Sequence, residues 1–247
     1  MFNKLVPLSK ESHKGLKINP PQDLSFAKNT HLVALMAPEF PRAQGEMPVV
    51  FVEGENGDFK TVAMLGIKPG INLMINEQGK WTERYVPAIL RRYPFALATG
   101  PNAQEFAVCI DEGCPAVSTD SGEALFDEAG EPTKLLESAK NYLLDLRIME
   151  LQTDAFCKLL QEHNLLAPLN MRVKEGEEVK NITGVFAINA ERFDKLSDEV
   201  FLEFRKRGYL PLIYAHLGSL SQIDKLMRLA AATSPSAKVD SEDESVH

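Results

Sequence analysis

The sequence predicts an α+β fold: an antiparallel sheet of about five or more strands, a long helix packed on it, and a C-terminal strand-helix-strand-helix unit. Three features carry that expectation. Short apolar runs follow one another from residue 31, and a strong hairpin-turn pair, Asn56-Gly57, separates two of them. A stretch from Pro132 to about Asn164 contains few helix breakers and spaces its apolar residues by threes and fours. After residue 180, compact apolar runs alternate with Asn189, Gly208 and Ser219 or Ser221, residue types that cap or stop helices.

The first 30 residues carry Pro7, Pro20 and Pro21 and little periodicity. They predict an arm laid over a neighbouring core, with one short strand at 16–18. Strand-like runs follow at 31–36, 48–52 and 61–67, and the last two are joined through Asn56-Gly57. Residues 73–75 lead into a Gly-bearing turn at 76–79 ahead of Trp81, and 105–110 read as a further strand ending in Asp111-Glu112-Gly113. A meander is the simplest arrangement of these strands. Residues 88–93 predict one helical turn that Pro94 stops.

In the long helix the stripe of Leu136, Ala139, Leu143, Leu146, Phe156 and Leu160 is interrupted midway by Glu150 and Thr153. That pattern fits a helix lying across a sheet better than a free coiled coil. A charged loop is expected at 174–178, then a strand at 183–188. A helix capped by Asn189 carries Phe193, Leu196, Val200, Phe201 and Phe204; Gly208 stops it, a strand is expected at 209–214, and a last helix runs through Leu226 and Leu229. The expected organisation is an arm at 1–30, one domain at 31–235 with changes of composition near 130 and 180 as candidate subdivisions, and a disordered acidic tail at 236–247.

Composition narrows the functional classes. Hydrophobic residues make up 44% of the chain and charged residues 25%, which suits a folded protein. A net charge of -8 argues against nucleic acid as the main partner, because phosphate binding normally leaves a basic footprint. Residues 1–10 break their apolar positions with lysines and predict no secretory signal. The longest uncharged stretch, 208–223, falls short of the ~20 apolar residues a membrane span requires. Three cysteines, an odd number, fit a reducing, cytoplasmic setting. Cys109 and Cys114 lack a second Cys/His pair at metal-ligand spacing, so neither a metal nor a cofactor is expected. No H-E-x-x-H, G-x-S-x-G, P-loop or G-x-G-x-x-G motif occurs.

Several blocks resemble a known family in aggregate: Glu39-Phe40-Pro41, the run from Met47 to Phe51, Gly66, Asn72-Leu73, Gly79-Lys80-Trp81, the run from Arg84 to Ala88, and the run from Arg91 to Phe95. Pro7-Leu8 and His13 near the start, Leu125-Phe126-Asp127, Gly208-Tyr209-Leu210 and Ala215-His216-Leu217 extend the match. Together they resemble the SapC-like family, bacterial proteins of about this length associated with surface-layer gene clusters. The resemblance implies neither a molecular activity nor catalytic residues. The permease label some members carry does not suit a chain without a membrane span.

Trp81, Arg84, Tyr85, Arg91, Arg92 and Tyr93 place three cations among three aromatics in a short segment of an acidic protein. Such a mixture can grip a carboxylate or phosphate with guanidinium forks while rings hold an apolar group. The plainer reading has the arginines in internal ion pairs and the rings in the core. The expected partner is therefore a protein or an anionic small molecule bound through the segment Trp81–Phe95. A rival reading starts from His13, which the arm could offer as a general base, and Asp111, which follows a strand. A histidine in an N-terminal arm and an aspartate after a later strand loosely resemble the toxin-activating acyltransferases, which makes a transferase the alternative.

Overall fold

The computed structural model describes residues 2–20, 23–99, 106–175 and 178–233. The expected acidic tail at 236–247 lies outside them, as does Glu105 at the start of an expected strand. Along the chain come β1 (Leu5–Pro7), α1 (Lys10–His13), β2 (Lys17–Ile18), β3 (Leu32–Ala34), α2 (Phe40–Ala43), β4 (Val49–Glu53) and β5 (Phe59–Met64). They are followed by α3 (Ala88–Arg91), β6 (Phe95–Thr99), β7 (Phe106–Asp111), β8 (Val117–Ser118), β9 (Glu123–Ala124) and α4 (Lys134–Glu162). The rest comprises β10 (Leu166–Pro168), β11 (Met171–Glu175), β12 (Glu178–Ile182), β13 (Val185–Ile188), α5 (Ala190–Asp194), α6 (Asp198–Lys206), α7 (Leu210–Ser219) and α8 (Gln222–Ala232).

The main sheet is antiparallel, in the order β10-β13-β4-β5-β3. Its β4–β5 hairpin pairs Val49 with Ala63 and Glu53 with Phe59. Gly57 turns it with φ at 75°, a conformation that a side chain would strain. Val49, Val50 and Phe51 are wholly buried, so β4 is covered on both faces, as its uninterrupted apolar run requires.

A second sheet, β1-β7-β6, pairs β6 with β7 along five residues, β8-β2-β9 make a small third one, and β11 and β12 pair by themselves. The strands therefore do not form a single meander. Residues 73–75 contribute only an isolated bridge, Ile75 to Trp81. The first 30 residues supply a strand to two sheets: β1 pairs Leu5 with Asp111, and β2 lies between β8 and β9.

Helix α4 explains why its apolar stripe has a gap. Leu136 and Leu143 belong to a core shared with Phe95 and Ile110 of the second sheet, whereas Phe156, Leu159 and Leu160 belong to the core of the main sheet. Between the two, Thr153 is buried and saturated: its hydroxyl donates to the Met149 carbonyl (2.7 Å) and accepts from the Ala37 N–H (2.8 Å). One helix thus passes through two cores, and the polar interruption marks the crossing.

Two expectations fail in the C-terminal third. The segment 209–214 is not a strand but the start of α7, so the unit runs strand-helix-helix-helix-helix. Gly208, at φ 73°, ends α6, and Pro211 then sits in the first turn of the next helix, where its missing N–H costs no hydrogen bond. A short apolar run has no period that separates a buried helix from a buried strand. Of the charged loop expected at 174–178, Lys174 and Glu175 lie instead in β11 and Glu178 in β12, while 176–177 lie outside the described residues.

A candidate anion-binding cleft

Glu39 organises the site. It ends a 3-10 turn, is only 2% exposed, and has three donors. Met36 N–H donates to Oε2 (2.8 Å); Ala88 N–H (2.7 Å) and the Tyr85 hydroxyl (2.6 Å) donate to Oε1. A buried carboxylate needs such saturation to remain in the interior. The result fixes the stretch from Tyr85 to Ala88 against the turn before α2. Burial, and then the Glu39 carboxylate, push the Tyr85 acid group well above its usual range, so its hydroxyl stays a donor.

Arg91, at the end of α3, reaches back over this assembly. Its guanidinium carbon is 5.9 Å from the Tyr85 ring centre and 5.7 Å from that of Tyr142 on α4, and its Nε donates to the Val86 carbonyl (3.2 Å). Tyr142 is anchored in turn by donating to the Ala88 carbonyl (2.9 Å). Together with Glu39, Arg42 and Asp145, these residues line a cleft of about 320 Å³. Among the described residues no carboxylate lies within ion-pair distance of Arg91.

Arg92 points elsewhere, as adjacent residues in a helical turn must. Its guanidinium carbon lies 5.4 Å from the Phe2 ring centre, and its Nε is buried with no hydrogen-bond partner. Burial lowers its pKa, while the negative field of Glu150 acts in the opposite sense. Glu150 itself is bonded to Arg147 at 2.6 Å. Arg91 and Arg92 both border a second cleft, of about 390 Å³, that continues past Tyr142. Tyr93 turns inward: its ring stacks on Phe26 at 4.0 Å, and its hydroxyl donates to Asp111 Oδ2 (3.2 Å).

Of the segment singled out in the sequence, then, Tyr85, Arg91 and Arg92 line connected clefts. Tyr93 borders the second cleft from the core. Trp81 and Arg84 stand apart. Trp81 packs on the main core and donates from Nε1 to the Tyr85 carbonyl (2.9 Å), while the Arg84 side chain is exposed. Arg42 and Tyr142 come from distant elements and went unnoticed in the sequence. The only signal for Tyr142 is its position beside the apolar stripe of α4.

His13 is not an exposed arm residue. It is 3% exposed, because α1 folds against the end of β7. Its Nδ1 accepts from the Ser9 N–H (3.0 Å), and its Nε2 lies 3.2 Å from Glu112, which also pairs with Lys4 at 2.7 Å. Asp111 is 0% exposed and faces away from Glu112. Its oxygens accept the N–H groups of Asn3 (2.9 Å), Lys4 (2.7 Å) and Gly113 (3.1 Å) and the Tyr93 hydroxyl. Burial works to raise its pKa, but these four donors prevail and hold it below the usual carboxylate value. A further depression, of about 730 Å³, lies on the other side of Tyr93 and is bordered by Asn3, Asn19, Phe26, Cys114 and Ser121. Among the described residues no group of His, Cys, Asp and Glu could hold a metal ion, and no helix is long and apolar enough to cross a membrane.

These features define an α+β protein in which a long helix ties two sheets together and borders an arginine-bearing cleft. The SapC family model matches residues 8–226, and the chain belongs to the SapC family. No curated protein and no solved structure matches it.

Proposed function

We propose that this SapC protein is a binding protein for an anionic small ligand, held in the cleft between α3 and α4 by Arg91. The observation that carries this reading is the state of the Arg91 guanidinium. Two tyrosine rings, themselves fixed by Glu39 and the Ala88 carbonyl, hold it at a cleft with no carboxylate paired to it among the described residues. A guanidinium positioned this way has its hydrogen-bonding fork preorganised, so little rotamer entropy remains to be lost on binding.

The roles of His13 and Asp111 in this reading are structural. Asp111 gives its oxygens to four donors, and His13 sits between Ser9 and Glu112, so neither is offered to a substrate.

Titration of the protein with acetate and with inorganic phosphate at low salt, followed by backbone amide NMR shifts, tests the proposal. Shifts should cluster at residues 85–92 and around Tyr142. Arg91→Ala should weaken binding about tenfold or more, the scale of one charge-assisted hydrogen bond. Shifts confined to other surfaces, or unchanged by Arg91→Ala, would remove the site.

A further inference from the structure

The cleft beyond Tyr142 differs in chemistry from the one in front of it. Ile18, Pro94, Phe95, Leu135, Ala139 and Leu143 form the apolar part of its wall, with the Tyr93 and Tyr142 rings beside them. Its only charged lining residues are Arg91 and Arg92, and no carboxylate borders it. Its volume of about 390 Å³ falls in the span of roughly 300–1,000 Å³ usual for small-molecule sites.

Arg92 is the anomaly here. A largely buried guanidinium is ordinarily paired, because an unpaired charge in apolar surroundings is costly. The Arg92 guanidinium has no ion pair and no hydrogen bond among the described residues; of the groups that act on it by charge, Glu150 and Tyr142, Glu150 is bonded to Arg147 and Tyr142 to the Ala88 carbonyl. The Phe2 ring gives it a cation–π contact, which does not satisfy an N–H.

We infer that this second cleft binds the apolar part of an amphipathic monocarboxylate whose head group is gripped by Arg92 beside Arg91. This rests on the anion-binding reading above and narrows its ligand class. The guanidinium edge matches a planar carboxylate with two parallel bonds. Arg91 is exposed and keeps its hydration, so a single negative charge suffices for Arg92, whose Nε is buried without a partner among the described residues, whereas a doubly charged phosphate would bring surplus charge against an apolar wall. The apolar lining then accounts for a chain or ring attached to the head, since each methylene taken out of water against it favours binding.

Calorimetric titration with decanoate, against acetate and decyl phosphate, decides the matter. Decanoate should bind at least tenfold more tightly than acetate and than decyl phosphate. Arg92→Met should remove that advantage, and the melting temperature of the unliganded variant should hold or rise, because an unpaired charge is replaced by an apolar chain of similar length. Ser138→Phe, at the cleft mouth, should weaken decanoate at least tenfold and leave acetate unchanged. If decanoate binds no better than acetate while Arg91→Ala still weakens acetate, the amphipathic ligand is wrong and the anion site stands. If decyl phosphate binds more tightly, the carboxylate assignment is wrong. If Arg92→Met melts well below the wild type, the arginine is structural and the inference falls.

Discussion

His216 lies in the interior between β4, β13 and α7. The Ile188 N–H donates to its Nε2 (3.0 Å), and its own Nδ1 donates to the Val49 carbonyl (2.9 Å). Only the neutral ring protonated on Nδ1 satisfies both contacts. Burial pushes its pKa down from 6.5 to about 4, against the smaller pull of the Val49 carbonyl. Between those values the unfolded chain binds a proton that the folded protein refuses. The contribution of His216 is therefore complete above about pH 6.5 and shrinks as the pH falls towards 4, by on the order of 3 kcal/mol over the whole interval. Urea unfolding of the wild type should lose stability across that window faster than His216→Gln does; parallel profiles would show that the ring does not titrate on unfolding. In the sequence, His216 beside Leu217 already reads as a core histidine. Its partners do not, because one is contributed by β4 and the other by β13.

Among the elements, β1 depends on a side chain rather than on its own composition. Leu5–Pro7 pairs with β7 along three residues, and Asp111 extends that pairing by receiving the N–H groups of Asn3 and Lys4. Asp111→Asn would turn an amide NH2 towards these donors and should cost about 1–3 kcal/mol. Faster hydrogen exchange at residues 3–8 should accompany it; unchanged exchange there would mean that Asp111 does not secure the strand. The folded carboxyl is held below its unfolded value, so its contribution is present above about pH 4 and is lost only as the pH falls further. The strand should thus remain fastened at pH 5. Sequence reasoning missed β1 because three residues ending in Pro7 carry no alternation, and its stabilising partners lie more than a hundred positions away. The helix α4 was legible because its signal is local, a long span without breakers. α7 was not, because Leu210, Leu212 and Ile213 suit a buried helix and a buried strand equally well.

For the molecule as a whole, α4 supplies side chains to both hydrophobic cores, which predicts that the two unfold together. Glu150 sits where the helix leaves one core and enters the other, between Leu146 and Phe156. Glu150→Pro would break the helix there at a cost of about 3 kcal/mol or more. Calorimetry should then show two transitions in place of the single one expected for the wild type; one undivided transition in the variant would mean that the cores are coupled by other contacts. The candidate site has the same distributed character. Tyr85, Arg91 and Arg92 stand close together in the sequence and could be noticed as a group. Glu39, Arg42 and Tyr142 join them only through the turn before α2 and the path of α4.

The order of strands in the main sheet also sets a schedule for synthesis. β4 meets β5 as soon as the hairpin leaves the ribosome, but its other edge is filled by β13, near the end of the chain. At about 5–20 residues per second, the edge at Phe51 and Val52 waits on the order of ten seconds for its neighbour. Through that interval an apolar strand edge is open to identical edges on adjacent nascent chains. Spacing ribosomes along one message with a weaker initiation signal should therefore raise the folded fraction on overexpression, and an unchanged fraction would show that this open edge is harmless.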